Sequence, residues 1–320
     1  MKQIRAILKT VLPLGVGFLF LYLSYQSTTA DERAKVLESI QNADYRFVLL
    51  SVLFAVLSHF SRAYRWLFLL QPLGYRPKVI NTVFTVMIAY LANLGIPRSG
   101  ELLRATALCN YEKFAFEKVF GTIVAERAID LLLLLLFILL ALFLQFDLIW
   151  ELLQLNEINP LLLVSIGVIS LVGFFVIRRV FAQSNHSIVL KIKALFLGFW
   201  EGISTLKTMQ NKGAFIFHTV FIWGMYLGMF YVVKWTLPAT YEMTWAMVIP
   251  AFVAGGLAIS ATNGGIGIYP YTVALVLGGF GITQEAGLAF GWIMWSSQTI
   301  MILTFGALSF FALPLINSKK

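Results

Sequence analysis

A broken apolar segment at residues 89–104 constrains the fold of this chain more than any other feature. Two glycines, one proline and three charged residues interrupt sequence that is otherwise typical of a membrane interior. Lipid cannot satisfy free backbone N–H and C=O groups, so irregular backbone at membrane depth has to lie inside protein or beside water. Transporters build substrate sites from such interrupted helices. A second interruption, at residues 258–270, predicts a site between two related halves.

The composition indicates an all-α polytopic integral membrane protein. Hydrophobic residues make up 59% of the 320 positions and charged residues only 12%, whereas a soluble domain carries about 25% charged residues. Apolar stretches fall at 7–25, 47–70, 79–96, 119–146, 160–177, 213–236, 245–262, 270–281 and 285–313. A full span needs about 20 residues, and the stretches at 79–96 and 270–281 are short. We therefore predict about seven full spans and two re-entrant or broken helical hairpins.

The distribution of Lys and Arg predicts the sidedness of the spans. Residues 178–212 contain six Lys or Arg and residues 147–159 contain none, so we expect the former inside, together with both basic chain ends. Residues 71–78 and 98–118 are basic as well, so the stretch between them should enter and return on one side. Residues 79–110 supply about 48 Å of helix, which is too little for two crossings and favours a re-entrant hairpin.

The same reasoning predicts that both ends of residues 245–281 lie outside, so that this segment forms a second re-entrant hairpin or two short crossings. The whole chain (1–320) is then predicted to be a single transmembrane domain. Half one (47–146) and half two (213–313) form an inverted repeat around a connector (160–212). Inverted repeats suit alternating access, because one half rocks against the other around a midplane site.

Two segments have alternative interpretations. The apolar run at residues 11–25 follows three basic residues and is interpreted as a retained first span, with a signal peptide as the alternative. Residues 187–207 have apolar positions at helical spacing. This pattern predicts either a helix lying on the cytoplasmic leaflet or a helix packed against the bundle.

The first candidate site is the broken segment itself, with Asn93, Arg98, Glu101 and Arg104. The half-helix that begins near Ser99 offers free N–H groups and a positive dipole end, which suit phosphate. Arg98 and Arg104 would meet the phosphate through their planar guanidinium groups. Glu101 would balance an arginine, or accept a hydrogen bond from an amine or sugar hydroxyl. The alternative is a cytoplasmic turn whose arginines reach toward water.

The second candidate is Glu126, Arg127 and Asp130, about two turns into the span that starts near Val119. Glu126 and Asp130 share a helix face, and Arg127 is close enough to pair with Asp130. Ionisable groups inside a span are costly and usually face a cavity or one another. They form either a structural ion-pair cluster or the lining of a headgroup cavity.

Two further groups complete the candidates. Arg62 lies well inside its span, where it either faces the site or anchors the helix, and Arg65 is expected to be an interfacial anchor. The motif at Asn263, Gly264 and Gly265 allows close backbone approach, or simply close helix packing. Tyr269 would supply a hydroxyl group.

No catalytic, metal or nucleotide motif is present. The single cysteine and three scattered histidines form no metal-ligand pattern, and the glycine pattern near Gly265 follows no strand. We therefore expect no metal, no cofactor and no enzymatic activity. The net charge of +9 reflects topology and attraction to anionic lipid. Nucleic acid is not an expected partner, because the basic residues form no dense run.

These residues resemble the flippase-like transmembrane family, which includes the membrane region of bacterial lysylphosphatidylglycerol synthase/flippases. The resemblance covers nearly the whole chain. Its motifs are Asn42-Ala43-Asp44, Arg62-Ala63-Tyr64-Arg65-Trp66, Asn93-x-x-x-Pro97-Arg98-x-Gly100-Glu101-x-x-Arg104, Glu126-Arg127-x-x-Asp130 and Gly264-Gly265-Ile266-Gly267. The resemblance implies a helical fold with re-entrant elements and a role in moving lipids between leaflets.

This chain departs from the best-known members in two respects. Those members continue into a soluble aminoacyl-transferase domain, whereas this chain stops at Lys320, so a stand-alone member without lipid aminoacylation is expected. Members also often have an acidic residue after the second glycine motif, where this chain has Ile268-Tyr269-Pro270. The substrate of any one member is therefore not transferred to this chain.

The preferred hypothesis is a lipid transporter in a bacterial cytoplasmic (inner) membrane. A phospholipid, an aminoacyl-phospholipid or a polyprenyl-phosphate-linked glycan would place its headgroup between the two hairpins. The expected headgroup residues are Arg62, Asn93, Arg98, Glu101, Arg104, Glu126, Arg127, Asp130, Asn263, Gly264, Gly265 and Tyr269. The alternative is a non-transporting partner that holds a glycosyltransferase or lipid-modifying enzyme at loop 178–212. A third hypothesis is a membrane transferase with Glu101 or Asp130 as base.

Overall fold

The computed structural model describes Tyr22, Tyr25, Gln26 and residues 29–96, 98–146, 209–262 and 264–318. Within these residues the chain forms nine α-helices and no strand: α1 Ala30–Gln41, α2 Tyr45–Leu70, α3 Val79–Gly95, α4 Ser99–Glu112, α5 Phe116–Leu144, α6 Lys212–Val232, α7 Trp245–Ala261, α8 Ile268–Gly278 and α9 Gln284–Asn317. Of the predicted span at 7–25, only Tyr22 and Tyr25 are described, and the predicted span at 160–177 and the predicted helix at 187–207 lie outside the described residues.

The prediction of an all-α polytopic membrane protein is confirmed. Among the described residues, α2, α5, α6 and α9 are long and apolar enough to cross a bilayer, whereas α3, α7 and α8 are shorter. The total of about seven spans and the re-entrant character of the short helices stay predictions.

The order of long helix, two short helices and long helix occurs twice, as α2 to α5 and as α6 to α9. The two leading helices, α2 and α6, run antiparallel. At one end of the pair, the N–H of Asp44 donates to the carbonyl of Thr236 (3.0 Å), and at the other Asn211 donates to Gln71 (3.3 Å). This pairing places the two repeats head to tail. The division into two halves and a connector stays a prediction.

The helices α3 and α4 form an antiparallel pair, called hairpin one. At its open end, the backbone N–H of Lys78 donates to the carboxylate of Glu112 (3.0 Å). Near its tip, Gly100 lies so close to Ala89 that an added Cβ would stand 2.1 Å from the Ala89 carbonyl oxygen. The arms have 17 and 14 residues, about 25 and 21 Å of helix.

The helices α7 and α8 form a second pair, called hairpin two. Its tip is a glycine turn in which Gly264 and Gly265 have φ of 64° and 78°, backbone that glycine adopts without steric cost. The Tyr269 ring packs on Gly255, with Cε2 only 2.7 Å from where a Cβ would be. Trp295 of α9 donates its indole N–H to the Gly264 carbonyl (2.7 Å), which fixes the tip to α9.

The two hairpins approach each other from opposite ends of α9. Hairpin two packs on the first part of α9, where Gly291 contacts Pro270, and hairpin one packs on the last part, where Gly306 contacts Leu91. The tips meet between these contacts, because a Cβ on Gly264 would lie 2.8 Å from Cδ2 of Leu94. The meeting point is therefore near the middle of the 34-residue α9.

A disulfide tests this arrangement of the tips. The position of a Gly264 Cβ is 3.9 Å from Leu94 Cα, within the reach of a disulfide. In a Cys109→Ser background, the pair Leu94→Cys and Gly264→Cys is expected to cross-link on mild oxidation, as measured by peptide mass spectrometry. The control pair, Leu94→Cys and Thr244→Cys, joins the tip of hairpin one to the far end of α7 and should stay reduced. Equal cross-linking of both pairs would contradict opposed hairpins.

Candidate functional site

Five charged side chains from three helices meet in the interior, and we call them the charge cluster: Arg62 and Arg65 of α2, Arg104 of α4, and Glu126 and Asp130 of α5. Arg62 Nη1 donates to Glu126 Oε1 (2.7 Å) and to Asp130 Oδ2 (2.6 Å). Arg65 Nη2 donates to Asp130 Oδ1 (2.8 Å). Arg104 Nη2 donates to Glu126 Oε2 (3.0 Å). The cluster therefore joins hairpin one to two of the long helices.

Helical spacing explains how the sequence builds this cluster. Arg62 and Arg65 are three apart on α2, and Glu126 and Asp130 are four apart on α5, so each pair presents one face. The three arginine side chains are at most 3% exposed, and Glu126 is fully buried. Arg65 is thus an interior residue, and the prediction that it anchors the helix at the interface is wrong. Its sequence position near the end of an apolar run suggested the surface, whereas helix packing buries it.

The charge cluster has an excess of positive charge. Three guanidinium groups, Arg62, Arg65 and Arg104, face two carboxylates, Glu126 and Asp130. Within the described part of the chain, the Nε atom of each arginine has no hydrogen-bond partner. Burying an unpaired charge costs free energy, so an anion close to the cluster would be stabilised.

Aromatic and hydroxyl groups surround the cluster. Arg104 lies over the Trp66 ring, 3.8 Å from its centroid, a favourable cation–π geometry. Trp66 is itself held by a hydrogen bond from its indole N–H to Thr122 (2.8 Å). Arg62 donates to the hydroxyl of Tyr226 (3.2 Å), which is 3.0 Å from the hydroxyl of Tyr90.

These surrounding residues were not among the predicted site residues. Trp66 follows Arg62 by four positions and therefore shares its helix face, a signal that the sequence contains. Tyr226 has no such local signal, because it reaches the cluster from α6, which is 164 residues away from Arg62 in sequence.

A further ion pair next to the cluster, formed by Glu101 of α4 and Arg127 of α5, is partly exposed, and we call it the rim pair. Arg127 Nε is 3.3 Å from Glu101 Oε1, and the two side chains are 39% and 21% exposed. Arg127 Nη1 is also 3.5 Å from Asp130 Oδ2, which connects the rim pair to the interior. In the described structure, Glu101 Oε2 has no hydrogen-bond partner.

The tip of hairpin one exposes Arg98 and is braced by Asn93. Arg98 precedes α4 with a φ of 61°, in the left-handed region that a non-glycine residue rarely adopts. Asn93 Oδ1 accepts from the N–H of Gly100 (2.8 Å), and the N–H of Ser99 donates to the Ile96 carbonyl (3.2 Å). Two N–H groups at the start of α4, those of Ser99 and Gly100, are thus already used within the hairpin, and Arg98 is an exposed cation at the tip.

The structure brings together six of the predicted site residues: Arg62, Glu101, Arg104, Glu126, Arg127 and Asp130. Asn93 and Arg98 lie at the tip of hairpin one, and Gly264 and Gly265 at the tip of hairpin two. Tyr269 is separate from the cluster, because it lies in the apolar core of the second repeat, against Gly255. Asn263 lies outside the described residues. No group of three or more His, Cys, Asp or Glu suitable for a metal occurs in the described structure.

Comparison with known proteins agrees with the family resemblance of the sequence motifs. The model of the lysylphosphatidylglycerol synthase TM region matches residues 10–306. A UPF0104 membrane protein of Methanocaldococcus jannaschii is 27% identical over 133 residues, which cover 41% of this chain and 38% of that relative. No solved structure gives a significant match. Because the family match covers most of its length, the chain belongs to the family of the lysylphosphatidylglycerol synthase transmembrane region.

Proposed function

We propose that this protein moves a phosphate-bearing lipid between the leaflets of a bacterial cytoplasmic membrane. The observation that carries the proposal is the exposed Arg98 at the tip of hairpin one. This tip meets hairpin two near the middle of α9, where Gly264 lies against Leu94. In the proposed membrane orientation this point lies deep in the bilayer, where a charged side chain is costly unless it faces water, another charge or a polar ligand. A lipid headgroup in transit supplies such a ligand.

The charges around the tip suit a phosphate. Arg98 offers a planar fork of donors that matches phosphate oxygens, and the charge cluster adds an excess of positive charge beneath the rim pair. Phospholipids, aminoacyl-phospholipids and polyprenyl-phosphate-linked glycans all contain this phosphate. They differ in the remainder of the headgroup, where Glu101 would meet an amine or a hydroxyl.

The surface beside the tip suits the lipid tails. Leu102 and Leu103 follow Glu101 on α4 and are 51% and 45% exposed. Helix α5 next to the rim pair also exposes a series of leucines, including Leu131, Leu135 and Leu139. A headgroup at Arg98 would therefore keep its tails on apolar surface. Rocking of one repeat against the other would then move the headgroup from one side to the other.

Replacing Arg98 with glutamine tests the proposal. We expect the rate of lipid movement in reconstituted vesicles to fall about tenfold to a hundredfold, as for the loss of one charge-assisted hydrogen bond. Arg98 is exposed, so the yield and melting temperature should stay close to those of the wild type. The assay follows fluorescent analogues of each lipid class by their accessibility to a membrane-impermeant quencher. Lys118→Gln, an exposed cation on α5, is the matched control.

Two results would count against this function. One is wild-type protein that moves every candidate lipid no faster than protein-free vesicles. The other is an Arg98→Gln variant that works as well as Lys118→Gln while deletion of residues 187–207 abolishes the cellular function. The second result would favour the alternative of a membrane partner that holds a glycosyltransferase or lipid-modifying enzyme.

A further inference from the structure

We propose that the Glu101 carboxylate occupies the place on Arg127 that the lipid phosphate takes during transport. This inference rests on the proposed function, since it concerns the same site. Glu101 would act as an internal substitute for the phosphate, leaving Arg127 when the headgroup arrives and returning when it departs.

The geometry of the rim pair carries the first step. Arg127 Nε and Glu101 Oε1 are 3.3 Å apart, but neither Arg127 Nε nor Glu101 Oε2 makes a hydrogen bond within the described residues. The buried pair of Arg62 and Glu126 differs, with a directed hydrogen bond of 2.7 Å. Two aligned hydrogen bonds are what make an arginine–carboxylate pair strong. The rim pair lacks them and is therefore the easier pair to exchange.

Accessibility carries the second step. Arg127 and Glu101 are 39% and 21% exposed, whereas the arginine side chains of the charge cluster are at most 3% exposed. A phosphate can thus approach the Arg127 side chain without opening the cluster, but Arg127 Nε itself is buried, so Glu101 has to move before a phosphate binds there. Leu102 and Leu103, which follow Glu101, are exposed, and they would contact the acyl chains of the bound lipid.

Charge balance carries the third step. The charge cluster and rim pair together contain four arginines and three carboxylates, a net charge of +1. One phosphodiester anion brings this set to neutrality. When displaced, Glu101 is free to accept a hydrogen bond from the amine or hydroxyl of the same headgroup, in the role proposed for it above.

Exchange of this kind serves release as well as binding. A conducting site has to bind its cargo strongly enough for it to enter and weakly enough for it to leave. A carboxylate that competes for Arg127 lowers the affinity for phosphate and helps to expel it. Removing the Glu101 charge should therefore tighten phosphate binding, whereas removing a carboxylate that does not compete should leave binding unchanged.

The test is a binding titration of the full-length protein in detergent. The probes are dihexanoyl phosphatidylglycerol, inorganic phosphate and dioctanoylglycerol, which lacks phosphate. We expect Glu101→Gln to bind the phosphatidylglycerol about fivefold more tightly than the wild type, the effect of losing one competing exposed charge. Arg127→Gln should bind it more weakly. Glu117→Gln, which removes an exposed carboxylate from α5, is the control and should match the wild type.

The outcomes separate the possibilities. The exchange is overturned if Glu101→Gln melts as the wild type does and its affinity for phosphatidylglycerol is unchanged or lower. If Glu101→Gln binds only inorganic phosphate more tightly than the wild type does, the exchange is supported and free phosphate is the ligand. If its affinity for dioctanoylglycerol rises equally, the exchange is overturned. Vesicle transport is measured in parallel. If the wild type transports lipid but Glu101→Gln does not bind phosphatidylglycerol more tightly, this inference alone fails. If Glu101→Gln binds more tightly but the wild type transports no lipid, the proposed function alone fails.

Discussion

Replacing Glu126 with alanine is expected to cost about 3–5 kcal/mol of folding free energy, the usual effect of breaking a buried ion pair. The Glu126 side chain is fully buried and accepts hydrogen bonds from Arg62 and Arg104. Without it, the three buried arginines have only the carboxylate of Asp130 in the cluster, and hairpin one keeps only the partly exposed rim pair as an ionic attachment to α5. We expect low yield and a much lower melting temperature in detergent.

Two further variants make this result specific. Glu117→Ala removes an exposed carboxylate from the same helix and should melt as the wild type does. The double variant Glu126→Ala with Arg104→Ala removes both partners and should recover part of the loss, as coupled residues do in a double-mutant cycle. If Glu126→Ala folds like Glu117→Ala and loses only transport, the cluster lines a cavity and does not hold the fold together.

The helices of this fold could be predicted from the sequence because their signals are local. The predicted stretches at 79–96 and 245–262 correspond to α3 (Val79–Gly95) and α7 (Trp245–Ala261). Apolar runs determine where a helix extends, and glycine and proline determine where it ends. The same breakers located both hairpin tips. How the hairpins pack on α9 depends on contacts between distant parts of the chain, such as Gly306 on Leu91, which no local pattern contains.

The charge cluster shows the limit of local reasoning most clearly. The sequence places Arg98 and Arg104 in one motif and predicts that both meet phosphate. The structure gives them different environments, since Arg98 is exposed at the tip while Arg104 is buried between Glu126 and Trp66. The difference arises from the rotation of α4 against α2 and α5. Six positions along the chain are enough to move an arginine from the surface to the interior.

The two repeats attach their hairpins in chemically different ways. Arg104 of hairpin one is bound to Glu126 of α5 by an ion pair. In the second repeat, Gly287 and Gly291 of α9 pack directly on Ala274 and Pro270 of hairpin two. Close packing of small residues is rigid and independent of charge, whereas the rim pair of Glu101 and Arg127, which also joins hairpin one to α5, is accessible to a charged ligand. This contrast makes hairpin one the element that a headgroup would influence.

Adding one methyl group at Gly100 is expected to separate the arms of hairpin one. A Cβ there would lie 2.1 Å from the Ala89 carbonyl oxygen and 2.8 Å from Asn93 Nδ2. The backbone oxygen cannot move alone, so α4 has to shift away from α3, which breaks the hydrogen bond from Gly100 N–H to Asn93 (2.8 Å). We expect Gly100→Ala to cost about 1–3 kcal/mol or more, despite the roughly 1 kcal/mol that alanine gains over glycine in a helix.

Gly121→Ala is the matched control, since a Cβ at this position of α5 meets nothing within 4 Å. Its melting temperature should equal or exceed that of the wild type, while that of Gly100→Ala falls. Because the shift of α4 also draws Arg104 away from Glu126, now 3.0 Å apart, transport should decline together with stability. A Gly100→Ala protein as stable as Gly121→Ala would mean that the arms of hairpin one are not in the close contact described, and that Asn93 does not brace its tip.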